Sequence, residues 1–268
     1  MNGTGTANIA FNGAATGNNL LAALREGDFA LLRGHLMRLD RPAGAVLYEP
    51  GDDVRTVYFP CGPTLVSFMV MLEDGRPAEV GMVGREGAVG GIVSQGRLPA
   101  YCRAVVQIGG TFLRLDSAEL ERAKEQSLSL RHLFARYADC LLAQIFQSVG
   151  CNAAHSIEQR TAKWLLSAMD RTGDENVRLT QEQLASMLAV GRSYIGRVLH
   201  SLRESGAVDT RRGRLVVKDA AKLQQISCDC ANAVVRHFDE VLSGVYPSGD
   251  FTGGHGANVD SRAAQFRS

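Results

Sequence analysis

Arg192, Ser193, Arg197 and His200 are residues whose types and spacing invite chemistry. On a helix, positions 192, 193, 196, 197 and 200 share one face. A guanidinium on that face can donate two parallel hydrogen bonds to the O6 and N7 of guanine. Thr180, Gln181 and Tyr194 lie close enough in sequence to border the same surface. Downstream, Arg211 and Arg212 form a second basic pair. Between Ala189 and Arg214 there are six arginines against one Glu and one Asp, with no lysine. Such a patch suits a phosphate backbone.

The elements that would hold these residues can be read from Leu179 to Val208, LTQEQLASMLAVGRSYIGRVLHSLRESGAV. Thr180 and Gln183 have the spacing of a capping box, which starts a helix. Leu184 and Leu188 share its inner face, and the small Ala185 lets a second helix come near. Gly191 is expected to supply whatever backbone angles the turn needs. Ile195, Val198, Leu199 and Leu202 then make an i, i+3, i+4, i+7 stripe that must face a core. Arg192 and Ser193 open this second helix, where a recognition helix meets base edges. After Gly206 come a strand over 207–210, a turn Arg211-Arg212-Gly213 and a return strand over 214–217. That is a β-hairpin wing with arginines at its tip. The competing reading is a helical hairpin with solvated arginines, and the wing counts against it.

A chain of 268 residues can hold two modest domains. Lys+Arg is 29 and Asp+Glu is 28, so net charge says nothing about partners. Distribution says more. Residues 46–90 hold seven acidic residues against three arginines, and the basic excess sits in the winged segment. The six cysteines, 61, 102, 140, 151, 228 and 230, are scattered. The first residues carry neither a basic region nor an apolar run, so a cytoplasmic protein with reduced thiols is expected, with no membrane contact.

Residues 1–18 are read as a disordered tail, rich in Gly, Asn, Thr and Ala. A helix is expected over 19–39. Short strands follow around Val46–Tyr48, Val57–Phe59, Leu65–Leu72, Ala78–Val83, Tyr101–Ile108 and Thr111–Leu115. Gly and Pro punctuate them, which argues for an antiparallel barrel or sandwich within 19–127. The longest helix starts near Leu128 and fills 128–153. Its apolar positions, among them Leu130, Phe134, Tyr137, Leu141 and Ile145, fall near a period of 3.5. They are expected to form a dimer seam; the alternative is a core helix packed on its own barrel. The winged domain spans 154–241, with one helix expected over 220–241, and 246–268 is read as a second disordered tail.

This order, with the phrase GRSYIGRVLHSLRESG, resembles the Crp–Fnr family of bacterial transcription regulators over about residues 25–240. The resemblance implies an α+β chain. An N-terminal β-roll or jelly-roll of the cyclic-nucleotide-binding type leads through a long dimerisation helix to a C-terminal winged helix-turn-helix. It implies a homodimer on a palindromic double-stranded DNA operator, with RNA polymerase as a further partner. It places DNA contacts at Arg192, Ser193 and Arg197. The middle position is commonly Glu in the family, so Ser193 departs from it and the family's best-known operator is not carried over.

The sensor half resembles the family in outline only. Members that bind cyclic nucleotide use a Gly-Glu pair for the ribose and an Arg-Ser pair for the phosphate. Here those positions read Gly90-Gly91 and Ala100-Tyr101. The residues expected to border any effector pocket are Arg85, Glu86, Gly90, Gly91 and Arg103. Gly84-Arg85-Glu86-Gly87 reads as a turn, with an anion site as the alternative. No cofactor is expected. The iron–sulfur members use an N-terminal cysteine cluster, and residues 1–60 contain no cysteine. Cys228 and Cys230, on one helix, would point about 200° apart, so no metal is expected there without other ligands. His155 is read as structural. An enzyme is not expected either: a cupin-like barrel needs a His/Glu cluster, and residues 46–115 contain no histidine. The remaining alternative is a regulatory module that binds a ligand or partner through its barrel and does not bind DNA.

Overall fold

The structure is a computed structural model that describes residues 16–93, 98–243 and 245. The expected tail segments 1–15 and 246–268 lie outside the described residues.

The elements run α1 (Asn19–Ala22), α2 (Glu26–Arg33), β1 (Met37–Arg41), β2 (Val46–Tyr48), β3 (Thr56–Pro60), β4 (Leu65–Met71), β5 (Pro77–Val83), β6 (Arg103–Ile108) and β7 (Gly110–Asp116). Then come α3 (Ser117–Gln126), α4 (Leu128–Ala154), α5 (Ile157–Thr172), β8 (Asn176–Val177), α6 (Gln181–Met187), α7 (Arg192–Glu204), β9 (Val208–Arg211), β10 (Arg214–Val217), α8 (Ala220–Ile226) and α9 (Cys230–Ser243). The N-terminal strands form two antiparallel sheets, ordered β1-β7-β3 and β2-β6-β4-β5. Phe112 from the first meets Val66, Val83 and Val106 from the second in one core, as facing sheets require. No helix among the described residues is long and apolar enough to cross a membrane.

Two expectations fail at the N-terminal end. The stretch 19–39 is not one helix. Gly34 caps α2, and Met37–Arg41 becomes a strand paired with β7, from Met37 opposite Arg114 to Arg41 opposite Gly110. Four of its five residues are exposed, so it lacks the alternation that marks a half-buried strand. The last residues of the expected tail belong to the fold. Asn18 is buried, caps α1 through the Leu21 N–H, and donates from Nδ2 to the carbonyls of Pro60 (2.8 Å) and Gly87 (2.9 Å).

The long helix α4 corrects the expected dimer seam. Leu130, Phe134 and Tyr137 have no exposure at all. They share a core with Phe29, Phe59, Leu113 and Leu120, and with Phe238 and Leu242 of α9. The Tyr137 ring meets Phe238 edge-on at 6.3 Å, and its hydroxyl donates to the Ala88 carbonyl. Leu141 is half-buried against the same core. Of the five seam positions only Ile145 is exposed, and it lies beside Leu142, Phe146 and Val149 on the outward face. The 3.5-residue period was therefore that of the chain's own core, with a second apolar face behind it.

At the C-terminal end, 220–241 is two helices. Ser227–Asp229 break the run: Ser227 closes α8 in an extended conformation, and Cys230 starts α9. Cys228 and Cys230 thus do not share a helix, and the argument that they point apart falls.

Candidate functional site

Thr180 and Gln183 form the expected capping box at the start of α6. Leu184 and Ala185 are buried against Ile195, Leu199 and Leu202 of α7. The turn between the helices differs in detail. Ala189 takes the left-handed conformation (φ 54°), whereas Gly191 is extended and serves as the N-cap of α7. Behind them β10 pairs with both β8 and β9, so the wing is the outer part of a three-stranded sheet.

This frame leaves Arg192, Ser193, Tyr194, Arg197 and His200 exposed along α7. The Arg197 guanidinium lies 5.4 Å from the Tyr194 ring centre, a cation–π contact that holds it near the N-terminal half of the helix. His200 is engaged within its own helix, 3.1 Å from Glu204 and 2.8 Å from Arg203. Thr180, Gln181, Arg192, Arg211 and Arg214 line one groove of about 400 Å³ between the two helix starts and the wing. Arg211 reaches Asp209 at 3.2 Å on the wing's exposed face, with Arg212 beside it at the tip.

The five positions expected to border an effector pocket each make contacts of their own. Arg103 pairs with Glu49 at 2.7 Å, half exposed. Gly90 (φ +127) is a close approach of backbone to backbone: an added Cβ would stand 2.3 Å from the Thr56 carbonyl. A side chain at Gly91 would meet Leu98 and the Val54 carbonyl, each at 3.4 Å. Tyr101, where the family's phosphate pair would lie, is 90% exposed. Arg85 and Glu86 sit in a turn closed by the Gly87 N–H to the Gly84 carbonyl, and they face α5.

That contact is what sequence reasoning missed. Glu86 and Arg171 form a buried ion pair, and Glu86 also accepts from the Gly84 N–H. Arg171 donates to the Met82 carbonyl (2.9 Å) and to Gln144 of α4. Gln144 in turn donates to the Met82 carbonyl at 3.1 Å. Arg85 donates to the Asp170 carbonyl at 3.2 Å and lies so close to Gly173 that a Cβ there would collide with it. Nearby, Glu79 of β5 accepts from Ser67 and from Trp164 Nε1 of α5 (2.8 Å). Desolvation in this seam pushes its carboxyl up to about 7. The four-stranded sheet, the long helix α4 and the helix α5 are thereby joined through buried polar groups. Separations of 27 to 89 residues hide such pairs from any local pattern.

The family model for the Crp-like helix-turn-helix domain matches residues 159–226. The chain is 26% identical over 210 residues to the cAMP-activated global transcriptional regulator Vfr of Pseudomonas aeruginosa, covering 69% of this chain and 91% of that protein. In fold it is similar to FixK2 from Bradyrhizobium japonicum (TM-score 0.60, 15% identity, 72% of this chain and 98% of that one). It is likewise similar to the c-di-GMP responsive global regulator CLP of Xanthomonas campestris (TM-score 0.58, 18% identity, 72% and 99%). With its winged arginine groove, the chain carries a Crp-like helix-turn-helix domain over residues 159–226 and is similar, over most of its length, to a transcription regulator built on such a domain.

Proposed function

We propose that the protein acts in the cytoplasm as a homodimer on a palindromic operator, and that its sensor domain does not answer to cyclic AMP. The observation that carries the first part is the exposed Arg192–Ser193–Arg197 face beside the wing arginines. In this reading Arg192 and Arg197 meet base edges in the major groove, and Arg211 and Arg212 neutralise phosphates. Two copies joined along α4 would set half-sites about one helical turn apart, roughly 34–36 Å. Selection of bound DNA from a random pool tests this, since a dimer enriches a palindrome. Arg197→Ala is expected to cost about 1–3 kcal/mol and to relax preference at one base pair. Arg212→Ala should weaken all sequences alike and lower the salt slope by about one. An unchanged motif and affinity in Arg197→Ala would remove that residue from the interface.

The second part rests on chemistry. Burying a cyclic phosphate without a cation costs several kcal/mol. Where the family places its phosphate and ribose partners, this chain has Ala100, an exposed Tyr101 and two glycines. Arg103 is held by Glu49, and the buried Lys124 by Glu121 and the Ile92 carbonyl (3.0 Å). Vfr is named for its activation by cAMP; here titration calorimetry with cAMP or cGMP is expected to give no micromolar site and no gain in operator affinity. A micromolar site that also tightened DNA binding would reverse this reading.

A further inference from the structure

Two segments far apart in sequence bring four metal-ligating side chains together at the end of α4. Cys151 and His155 stand one turn apart there, and the His155 N–H closes the helix on the Cys151 carbonyl. Cys228 lies in the break between α8 and α9, and Cys230 is the first residue of α9. Cys151 Sγ is 3.6 Å from Cys228 Sγ, and Cys230 Sγ is 3.6 Å from His155 Nδ1. All four ligand atoms lie within 4.8 Å of one another.

A tetrahedral zinc ion, with bonds of about 2.3 Å to sulfur and about 2.0 Å to nitrogen, holds its ligands about 3.5–3.8 Å apart. The two 3.6 Å separations already match. Three thiols and an imidazole form a borderline-soft donor set that suits zinc and does not suit magnesium or calcium. The cysteines form a small buried cluster apart from the three larger cores, while His155 is half-buried and leaves a way in. Gln147 Nε2 donates to Cys230 Sγ at 3.1 Å, the outer hydrogen bond that a metal-bound thiolate commonly receives. Packing alone would account for three buried thiols. It would not account for the imidazole nitrogen turned to Cys230, nor for a helix break that brings residues 228 and 230 to the same point. A Cys151–Cys228 disulfide would need the sulfurs at about 2.05 Å and would leave Cys230 and His155 without a role.

We propose that Cys151, His155, Cys228 and Cys230 bind one Zn²⁺ ion. Its thiol protons pass to water on binding. Cys228 and Cys230 lie just beyond the matched helix-turn-helix region. The ion therefore clamps the segment that follows the DNA-binding domain to the end of the long helix.

Elemental analysis of the full-length protein, purified in reductant without chelator, is expected to find about one zinc per chain. Cys228→Ser and Cys230→Ser should each lose it, whereas Cys102→Ser, outside the cluster, should keep it. Should a variant fail to fold, cobalt(II) added to zinc-stripped wild-type protein gives the answer. The expected spectrum has thiolate charge-transfer and tetrahedral ligand-field bands, both erased by added zinc. Wild-type protein with neither zinc nor that spectrum overturns the proposal. So does full zinc content in a folded Cys228→Ser variant, iron in place of zinc, or a Cys151–Cys228 disulfide in reduced preparations.

Discussion

Phe146→Glu is expected to yield a folded monomer that has lost its palindrome. Phe146 and Val149 are each 65% exposed, and Leu142 and Ile145 stand beside them. Positions 142, 145, 146 and 149 are an i, i+3, i+4, i+7 set, so they make one continuous stripe. Large apolar side chains gathered this way mark an association surface, where scattered ones do not. In a two-fold pair each Phe146 would meet its counterpart's stripe, and a glutamate there would be desolvated without a partner. A monomer binds one half-site at a time. The lost linkage between the two contacts should lower operator affinity by about 10²- to 10⁴-fold. Sedimentation velocity reads the assembly, and a thermal melt near that of the parent excludes misfolding. A folded Phe146→Glu protein that still sediments as a dimer would place the interface elsewhere. The same change at Tyr137 would not test the point, because that ring is fully buried and a charge there would destabilise the fold itself.

The contrast between Tyr137 and Phe146 shows how far the residues could be read unaided. Wherever one local rule fixes an element, the pattern sufficed. A capping box at Thr180–Gln183, a four-residue buried stripe on α7 and a glycine-closed hairpin at the wing all lie within a few residues of their partners. α4 was visible as a helix, but which of its faces turns inward was not. It is apolar on two sides, and the choice depends on α9, about a hundred residues later. β1 was invisible because its side chains are exposed and its identity comes from pairing with β7. The cysteine cluster was misjudged for a single reason. The argument that residues 228 and 230 diverge assumed a continuous helix, whereas Cys228 lies in a break over residues 227–229 and Cys230 opens the next helix.

Arg171→Leu is expected to destabilise the folded protein by about 3–5 kcal/mol. The guanidinium is almost wholly enclosed and Glu86 still more so. Removing Arg171 alone leaves the Glu86 carboxylate buried, held by the Gly84 N–H and no cation. It also strips the Met82 carbonyl of one donor and Gln144 of its acceptor role. The paired change Arg171→Leu with Glu86→Leu removes both charges. A buried pair replaced by apolar groups of similar size is often neutral in stability, so most of the loss should be recovered. Denaturant unfolding of the two single variants and the double variant measures this as a cycle. The same variants address what the pair does for regulation. Glu86 belongs to the turn after β5, Arg171 to the last turn of the helix that leads into the DNA-binding domain, and Gln144 to the long helix between them. A sensor domain can move the recognition helix only through contacts that both domains share, and this network is one. The double variant should therefore keep its fold and its intrinsic DNA contacts while changing the affinity set by the sensor domain. A double variant destabilised by the sum of the two single losses would show that the pair contributes as two independent residues, with no coupling through it.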